Sequence, residues 1–183
     1  MGVVISAAIY LEVFTVTVLF YILLAALFFS ILSLYWKIPL ITTIIDLLDR
    51  ESDKKKLPGK GAIFYLAGAL LVTLLFQKDI AAAAVIILGI GDSLSPVLGR
   101  FGRIRHPFSR DGKKTLEGNL GAMLAAAVMA YIYLHNPIEA VVGALVGLTV
   151  EVFEIHFHHK IDDNLTIPFF SGGAIWLLRF ALG

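Results

Sequence analysis

The residues best suited to chemistry fall in two clusters, and the first begins with an acid at the end of an apolar run. An ionised carboxylate such as Asp92 is costly at that position and is usually functional. A loop punctuated by glycines follows and carries these cations: Arg100, Arg103, Arg105, Arg110, Lys113 and Lys114. A carboxylate able to hold a divalent cation, followed by such a loop, suits a nucleoside triphosphate with its metal. The alternative is a basic loop that only sets membrane topology.

The second cluster follows the apolar stretch 138–157. Glu151 and Glu154 lie three residues apart, so they share one face of a helix. Two acids and an amide come next: Asp162, Asp163 and Asn164. Adjacent carboxylates and an amide at a membrane surface form an oxygen-rich site that suits magnesium. The alternative is a helix cap, because Asp and Asn are favoured before a helix and Pro168 suits its first turn. The sequence leaves both interpretations open.

The composition places these clusters in a membrane protein. The chain has 183 residues, of which 58% are hydrophobic, and its mean hydropathy is +0.87. Such values are too apolar for a soluble domain. The net charge of +1 gives no reason to expect a nucleic-acid partner, and the lack of cysteine excludes disulfides and thiolate metal sites. The first apolar run has no basic segment before it and is too long for a cleavable signal, so we expect a membrane helix.

Six apolar stretches are predicted to cross the membrane as helices of a single all-α integral membrane domain, residues 1–183. They are residues 3–34, 62–76, 80–98, 118–134, 138–157 and 167–182. The first is longer than a bilayer requires, so it should tilt or protrude. Residues 39–56 place apolar side chains at helical spacing opposite polar ones, which predicts an amphipathic helix on the membrane surface.

The distribution of lysine and arginine predicts the orientation of these helices. Loops 37–60 and 100–117 hold six each and loop 158–165 holds one, whereas turns 77–79 and 135–137 hold one and none. Because positive loops stay inside, both termini are predicted outside and both clusters on the cytoplasmic face. Helices rich in glycine and alanine pack closely, which also suits a homodimer.

Three motifs carry a family resemblance. GDSLSPVLGR, KKTLEGNLG and IDDNLTIPF, in this order and spacing, resemble the dolichol kinase, phytol kinase and CTP-dependent diacylglycerol kinase family over residues 50–183. Members are integral membrane enzymes that phosphorylate a lipid alcohol with a nucleoside triphosphate, usually CTP. The CDP-diacylglycerol synthases are distant relatives that share the first two elements. They end in another signature, so the DDNLTIP segment favours the kinase branch.

The resemblance implies roles for individual residues. A catalytic role falls on Asp92, Lys114, Glu151, Glu154, Asp162 and Asp163. The residues expected to bind the nucleotide are Ser93, Arg100, Lys113, Lys114, Thr115, Glu117, Gly118 and Asn164. Magnesium is expected on Asp92, Asp162 and Asp163. The family has a glutamate shortly before its last motif; Glu154 fits the spacing and Glu151 fits the local sequence, so both stay open.

Elementary chemistry agrees with this resemblance. Phosphoryl transfer needs positioning, metal and positive charge on the phosphate oxygens, which Lys113 and Lys114 can supply. A remaining carboxylate could accept the proton of the lipid hydroxyl. We therefore expect CTP-dependent phosphorylation of a polyprenol-like, dolichol-like or other isoprenoid alcohol, yielding the lipid monophosphate and CDP. The alternative is a cytidylyltransferase that makes a CDP-lipid, such as CDP-diacylglycerol or CDP-archaeol, from CTP and a lipid phosphate. A transporter is disfavoured because the acids gather at one membrane face.

Overall fold

Helices make up nearly all of the computed structural model, which describes residues 1–35, 57–107, 114–153, 156–157 and 159–182. The described helices are α1 (Gly2–Tyr10), α2 (Val16–Tyr35), α3 (Lys60–Leu75), α4 (Lys78–Gly99), α5 (Leu116–Leu134), α6 (Pro137–Phe153) and α7 (Asp163–Leu182). Two short strands, β1 (His156–Phe157) and β2 (His159–Lys160), pair antiparallel between α6 and α7. Apart from this small hairpin, the predicted all-α fold is confirmed.

Four of the described helices are long and apolar enough to cross a membrane, which indicates an integral membrane protein. They are α2, α4, α5 and α7. The helix α3 is apolar but has 16 residues, and α6 has 17, so the six predicted crossings are confirmed only in part. The predicted amphipathic helix 39–56 lies outside the described residues and stays a prediction.

The prediction of one long first helix, residues 3–34, is wrong. The helix α1 ends at Tyr10 and α2 begins at Val16, with Glu12 between them at a positive φ of 59°. The Nζ atom of Lys78 lies 2.6 Å from Oε1 of Glu12 and ties this turn to the start of α4. A carboxylate inside an overlong apolar run is costly in lipid, and the turn brings it to a cationic partner at the end of the bundle.

Because the chain turns back at Glu12, α1 runs along α4 in the opposite direction. A Cβ atom built on Gly2 would lie 2.9 Å from the Cα atom of Gly89, so the two backbones are in contact. Only glycine permits so close an approach. The first residues therefore lie deep along α4, and not beside Glu12 at the end where α7 finishes. The expectation that both termini share the outer side depended on a single first helix and loses that basis.

The helix α4 is the centre of the bundle. Each residue from Ile80 to Leu88 is at most 1% exposed, because α1, α3, α5, α6 and α7 pack around it. This uninterrupted apolar run suits a helix that is buried on all sides. From Asp92 onward α4 has exposed residues, so the central helix emerges from its neighbours at the first predicted functional residue.

Close contacts align the ends of the helices. A Cβ atom on Gly118 would lie 2.7 Å from the Cα atom of Gly99, and one on Gly91 would collide with the side chain of Leu148. Together with the alternating directions of α3 to α7, these contacts define two ends of the bundle. The motif end contains the starts of α3, α5 and α7 and the last turns of α4 and α6. The opposite end contains Gln77, Asp79, Glu139 and Arg179.

Candidate active site

The best-defined feature of the motif end is a partly buried ion pair between α5 and α6. The Nζ atom of Lys114 lies 2.9 Å from Oε1 of Glu151 and donates to the Glu151 carbonyl oxygen at 2.8 Å. Glu151 is only 8% exposed, and its buried Oε2 atom has no hydrogen-bond partner in the described part of the chain. A buried acceptor without a donor is uncommon and calls for a physical explanation. The pair joins two predicted catalytic residues and leaves one carboxylate oxygen open.

Asp92 lies where α4 leaves the centre of the bundle. Its side chain is exposed and forms no hydrogen bond or ion pair with other described residues. The neighbouring Ser93 is also exposed, and its hydroxyl donates to the Gly89 carbonyl at 2.6 Å. Exposed apolar side chains follow in the sequence: Val97, in the last turns of α4, is 49% exposed, and Phe101, just after the helix, is 83% exposed. An open acid thus adjoins a surface that can contact lipid.

A proline adds a further oxygen at this position. In a regular α-helix the N–H of residue 96 would donate to the carbonyl oxygen of residue 92. Pro96 lies inside α4 and has no N–H, so the Asp92 carbonyl loses that donor. Besides its exposed carboxylate, Asp92 therefore has a carbonyl oxygen that lacks the regular helical donor. Oxygen donors of these two kinds are the ones that hard cations prefer.

Three predicted nucleotide-binding residues build the junction between the basic loop and α5. Thr115 is the N-cap of α5, because its hydroxyl accepts from the Gly118 N–H at 3.3 Å. The Oε1 atom of Glu117 accepts from the backbone N–H groups of Arg103 at 2.9 Å and Ile104 at 3.1 Å. Gly118 packs against the backbone of Gly99. Each of these residues has a structural contact, and their contact with a nucleotide stays a prediction.

The basic loop is held in place by backbone pairing. His106 N–H donates to the Lys114 carbonyl and Leu116 N–H to the Ile104 carbonyl, both at 2.9 Å. The described part of the loop exposes three arginines: Arg100, Arg103 and Arg105. Two further predicted cations, Arg110 and Lys113, lie outside the described residues. The described loop therefore presents positive charge from an ordered backbone.

The acidic block before α7 forms the helix cap that the sequence left as an alternative. The Oδ1 atom of Asp162 accepts from the Asn164 backbone N–H at 3.1 Å and from its Nδ2 at 2.8 Å. The other carboxylate oxygen of Asp162 lies 3.7 Å from Nζ of Lys60. In the sequence Lys60 was only one charge among several in a loop. Its proximity to Asp162 depends on α3 and α7 starting side by side.

The structure does not bring all the predicted residues together. The described residues contain no group of three His, Cys, Asp or Glu side chains that could hold a metal ion. Asp92, Asp162 and Asp163 therefore form no single carboxylate cluster, because Asp92 belongs to α4 and the other two to the start of α7. Glu154 lies outside the described residues, so the choice between Glu154 and Glu151 is not tested.

Comparison with known proteins agrees with the motif resemblance. No family model matches the chain, and no solved structure matches it significantly. The chain is 26% identical over 156 residues to CTP-dependent diacylglycerol kinase 1 of Schizosaccharomyces pombe, covering 76% of this chain and 68% of that protein. It is 27% identical over 143 residues to dolichol kinase of Saccharomyces cerevisiae, covering 74% of this chain but 27% of that protein. These relatives confirm the resemblance to the lipid kinase family and do not favour the cytidylyltransferase alternative.

Proposed function

We propose that the protein transfers the γ-phosphate of CTP to a lipid alcohol at the motif end of the bundle. The observation that carries this proposal is the exposed carboxylate of Asp92, where α4 leaves the centre of the bundle, at the same end as the arginine-bearing loop. The similarity to two proteins named as a CTP-dependent diacylglycerol kinase and a dolichol kinase supports it. A polyprenol or dolichol-like alcohol is our preferred substrate, and diacylglycerol is the competing one.

The triphosphate would lie against the cations of the motif end. Arg100, Arg103 and Arg105 are exposed there, and Lys114 is anchored by Glu151 at the edge of the same loop. Charge-assisted hydrogen bonds are worth roughly 1.5–3 kcal/mol each, so a few of them suffice for micromolar binding. Lys113, the neighbour of Lys114 in sequence, is proposed to add another.

Magnesium fits the donors that surround Asp92. Mg²⁺ is commonly held by one or two carboxylates together with substrate phosphates and water, so it needs no preformed cluster of three acids. Asp92 would hold it through its carboxylate or the carbonyl oxygen released by Pro96, and Asp162 is a candidate second ligand. When bound, the ion neutralises charge on the phosphates.

The lipid would approach Asp92 along the exposed end of α4, where Val97 and the following Phe101 are open to contact with its chain. The hydroxyl oxygen attacks the γ-phosphorus, and the bond to the bridging oxygen breaks and releases CDP. The hydroxyl proton passes to a carboxylate. Glu151 is our candidate because its Oε2 atom lacks a donor among the described residues, and Glu154 is the alternative.

The proposed position of the CTP site also predicts how the protein is oriented in the membrane. CTP is a cytoplasmic metabolite, so we propose that the motif end faces the cytoplasm, in agreement with the positive charge of its loops. The opposite end would then face outward. Cysteine substitution at exposed Arg103 and Leu11, followed by labelling of intact cells, tests this directly, since only the outward residue should react.

Labelled CTP tests the reaction. The purified protein in vesicles is incubated with CTP carrying label in the γ-phosphate or the α-phosphate, and with dolichol, a shorter polyprenol, phytol or diacylglycerol. We expect γ-label on the lipid and release of CDP. Retention of α-label on the lipid with release of pyrophosphate would indicate a cytidylyltransferase. Absence of label on every alcohol, with the protein folded, would contradict the proposal.

A further inference from the structure

We propose that Glu117 is a positioning residue, which holds the loop of Arg103 and Arg105 in the conformation that binds the nucleoside triphosphate. The inference rests on the proposed function, because it assigns the triphosphate to this loop. It differs from the role implied by the motif resemblance, in which Glu117 itself contacts the nucleotide. Two anions repel each other, so a glutamate beside a triphosphate requires either a metal or an indirect role.

The contacts of Glu117 favour the indirect role. Its Oε1 atom accepts from the N–H groups of both Arg103 and Ile104, at 2.9 and 3.1 Å, and Oε2 lies 3.2 Å from the Ile104 nitrogen. Consecutive backbone amides pointing at one carboxylate strongly restrict the conformation of that segment. Glu117 is in the first turn of α5, so the loop is attached to a rigid helix.

The surrounding contacts extend this attachment. The pairing of His106 with Lys114 and of Leu116 with Ile104 fixes the other side of the segment. A Cβ atom on Gly102 would lie 3.0 Å from Oε2 of Glu117, so the loop passes close to the carboxylate. The backbone of the segment that bears the exposed Arg103 and Arg105 side chains is therefore held in place by the Glu117 carboxylate. Without it, the arginines would lose conformational restriction that nucleotide binding must then restore.

The two possible roles of Glu117 predict different effects of a conservative substitution. Oε1 accepts from both amides, so the side-chain oxygen of Glu117→Gln can keep these two hydrogen bonds, while the negative charge and the longer 3.2 Å contact of Oε2 with the Ile104 N–H are lost. Glu117→Ala removes the acceptor as well. We therefore expect the Kd for CTP to rise about ten-fold or more in Glu117→Ala and to stay within about three-fold of wild type in Glu117→Gln. A direct metal ligand would lose its function in both variants.

The experiment measures equilibrium binding of CTP with magnesium to the full chain in detergent, beside the unfolding temperature of each variant. An equal loss of affinity in Glu117→Gln and Glu117→Ala would overturn the proposal. Glu117→Gln keeps it testable if Glu117→Ala does not fold, because near-normal binding supports positioning and a large loss contradicts it. If wild-type protein bound no CTP, the proposed function itself would fail and this inference with it.

A double-mutant cycle identifies the groups through which Glu117 acts. If it acts by placing Arg103, the loss caused by Glu117→Ala should shrink at least about three-fold in an Arg103→Ala background. Lys78→Ala at the opposite end is the matched control background, in which the loss should stay unchanged. Full additivity with both Arg103→Ala and Arg105→Ala would contradict the proposed role.

Discussion

The two ends of the helix bundle treat their charged residues differently. At the opposite end, Nη2 of Arg179 lies 2.7 Å from both Glu139 Oε2 and Asp79 Oδ2, and Asn136 donates to Glu139 at 3.1 Å. At the motif end, Asp92 has no hydrogen-bond partner among the described residues and Glu151 keeps one buried oxygen unpaired. At the opposite end, these charged side chains pair with one another between helices. At the motif end, Asp92 and one oxygen of Glu151 have no partner among the described residues and can accept a ligand.

This difference separates stability from function within one small bundle. A charged network that is complete in the free protein can stabilise it but offers nothing to a substrate. Unpaired polar groups cost stability and are retained where they bind or react. Charge alone therefore does not distinguish the two ends, because both are charged; among the described residues, the unpaired oxygens of Asp92 and Glu151 do.

Among these changes, removal of divalent cations should have the largest effect on activity, and it should act on the motif end. We expect lipid phosphorylation to stop in excess EDTA and to return when magnesium is added, because Asp92 and the triphosphate need a shared cation. The unfolding temperature should stay nearly constant, since the ion pairs of the opposite end contain no metal. Initial rates and a thermal unfolding curve on the same sample measure both. Full turnover in excess EDTA would refute a metal requirement.

Asp92→Asn should have the second-largest effect and lower the rate of lipid phosphorylation at least about 100-fold. The two side chains have nearly the same volume, so the change removes charge and leaves packing intact. Asp79→Asn is the matched control, since Asp79 lies on the same helix and binds Arg179. It should lower stability but keep the rate. A comparable loss of rate in both variants would contradict the claim that only the motif end takes part in the reaction.

Lys114→Met should weaken CTP binding about ten-fold to 100-fold, because it removes one charge-assisted contact with the triphosphate. Lys78→Met is its control at the opposite end, where the partner Glu12 is exposed. A titration of initial rate against CTP concentration gives KM for each variant. An unchanged KM in Lys114→Met would mean that Lys114 serves only to neutralise Glu151.

Arg179→Met should act in the reverse sense, on stability and not on activity. Its loss leaves Glu139 buried without a cation, which costs about 3 kcal/mol of unfolding free energy. Arg100→Met, a loss of an exposed arginine at the motif end, should leave stability nearly unchanged and weaken CTP binding. Unfolding curves in mixed micelles and the activity per folded molecule separate the two. A catalytic defect in folded Arg179→Met protein would contradict the assignment of that end.

The smallest expected effect concerns Glu12. A hydrogen bond from Lys78 and its positive charge hold the pKa of the Glu12 carboxyl below its usual value of 4.5. Stability from this pair is therefore present at neutral pH and is lost as the pH falls below that value. Because the pair is exposed, the contribution should be slight. The unfolding temperatures of wild type and Glu12→Gln should differ slightly at pH 7, and the difference should shrink as the pH is lowered below 4.5.

Much of the fold could be predicted from the chain, whereas the position of the site stays a prediction. Long apolar runs indicated the membrane helices, and Asp92 at the end of one such run is the basis for the proposed active site. The turn at Glu12 was missed, although Glu12 is the only charged residue of that apolar run and lies at the point where the chain reverses. Asp162 was equally consistent with a cap and with a ligand; its bonds to Asn164 show the cap, and its role as a ligand stays a prediction.

The sequence by itself determined which segments are apolar enough to lie in lipid, where the acids and cations stand along the chain, and which known enzymes the motifs resemble. Those properties depend on residue type and spacing along one chain. Only the tertiary structure decided that Lys114 pairs with Glu151, that Glu117 accepts hydrogen bonds from the arginine loop, and that Arg179 pairs with Glu139. Such pairings depend on which helices become neighbours, and hydrogen bonds act over a few ångströms between groups that are far apart in sequence.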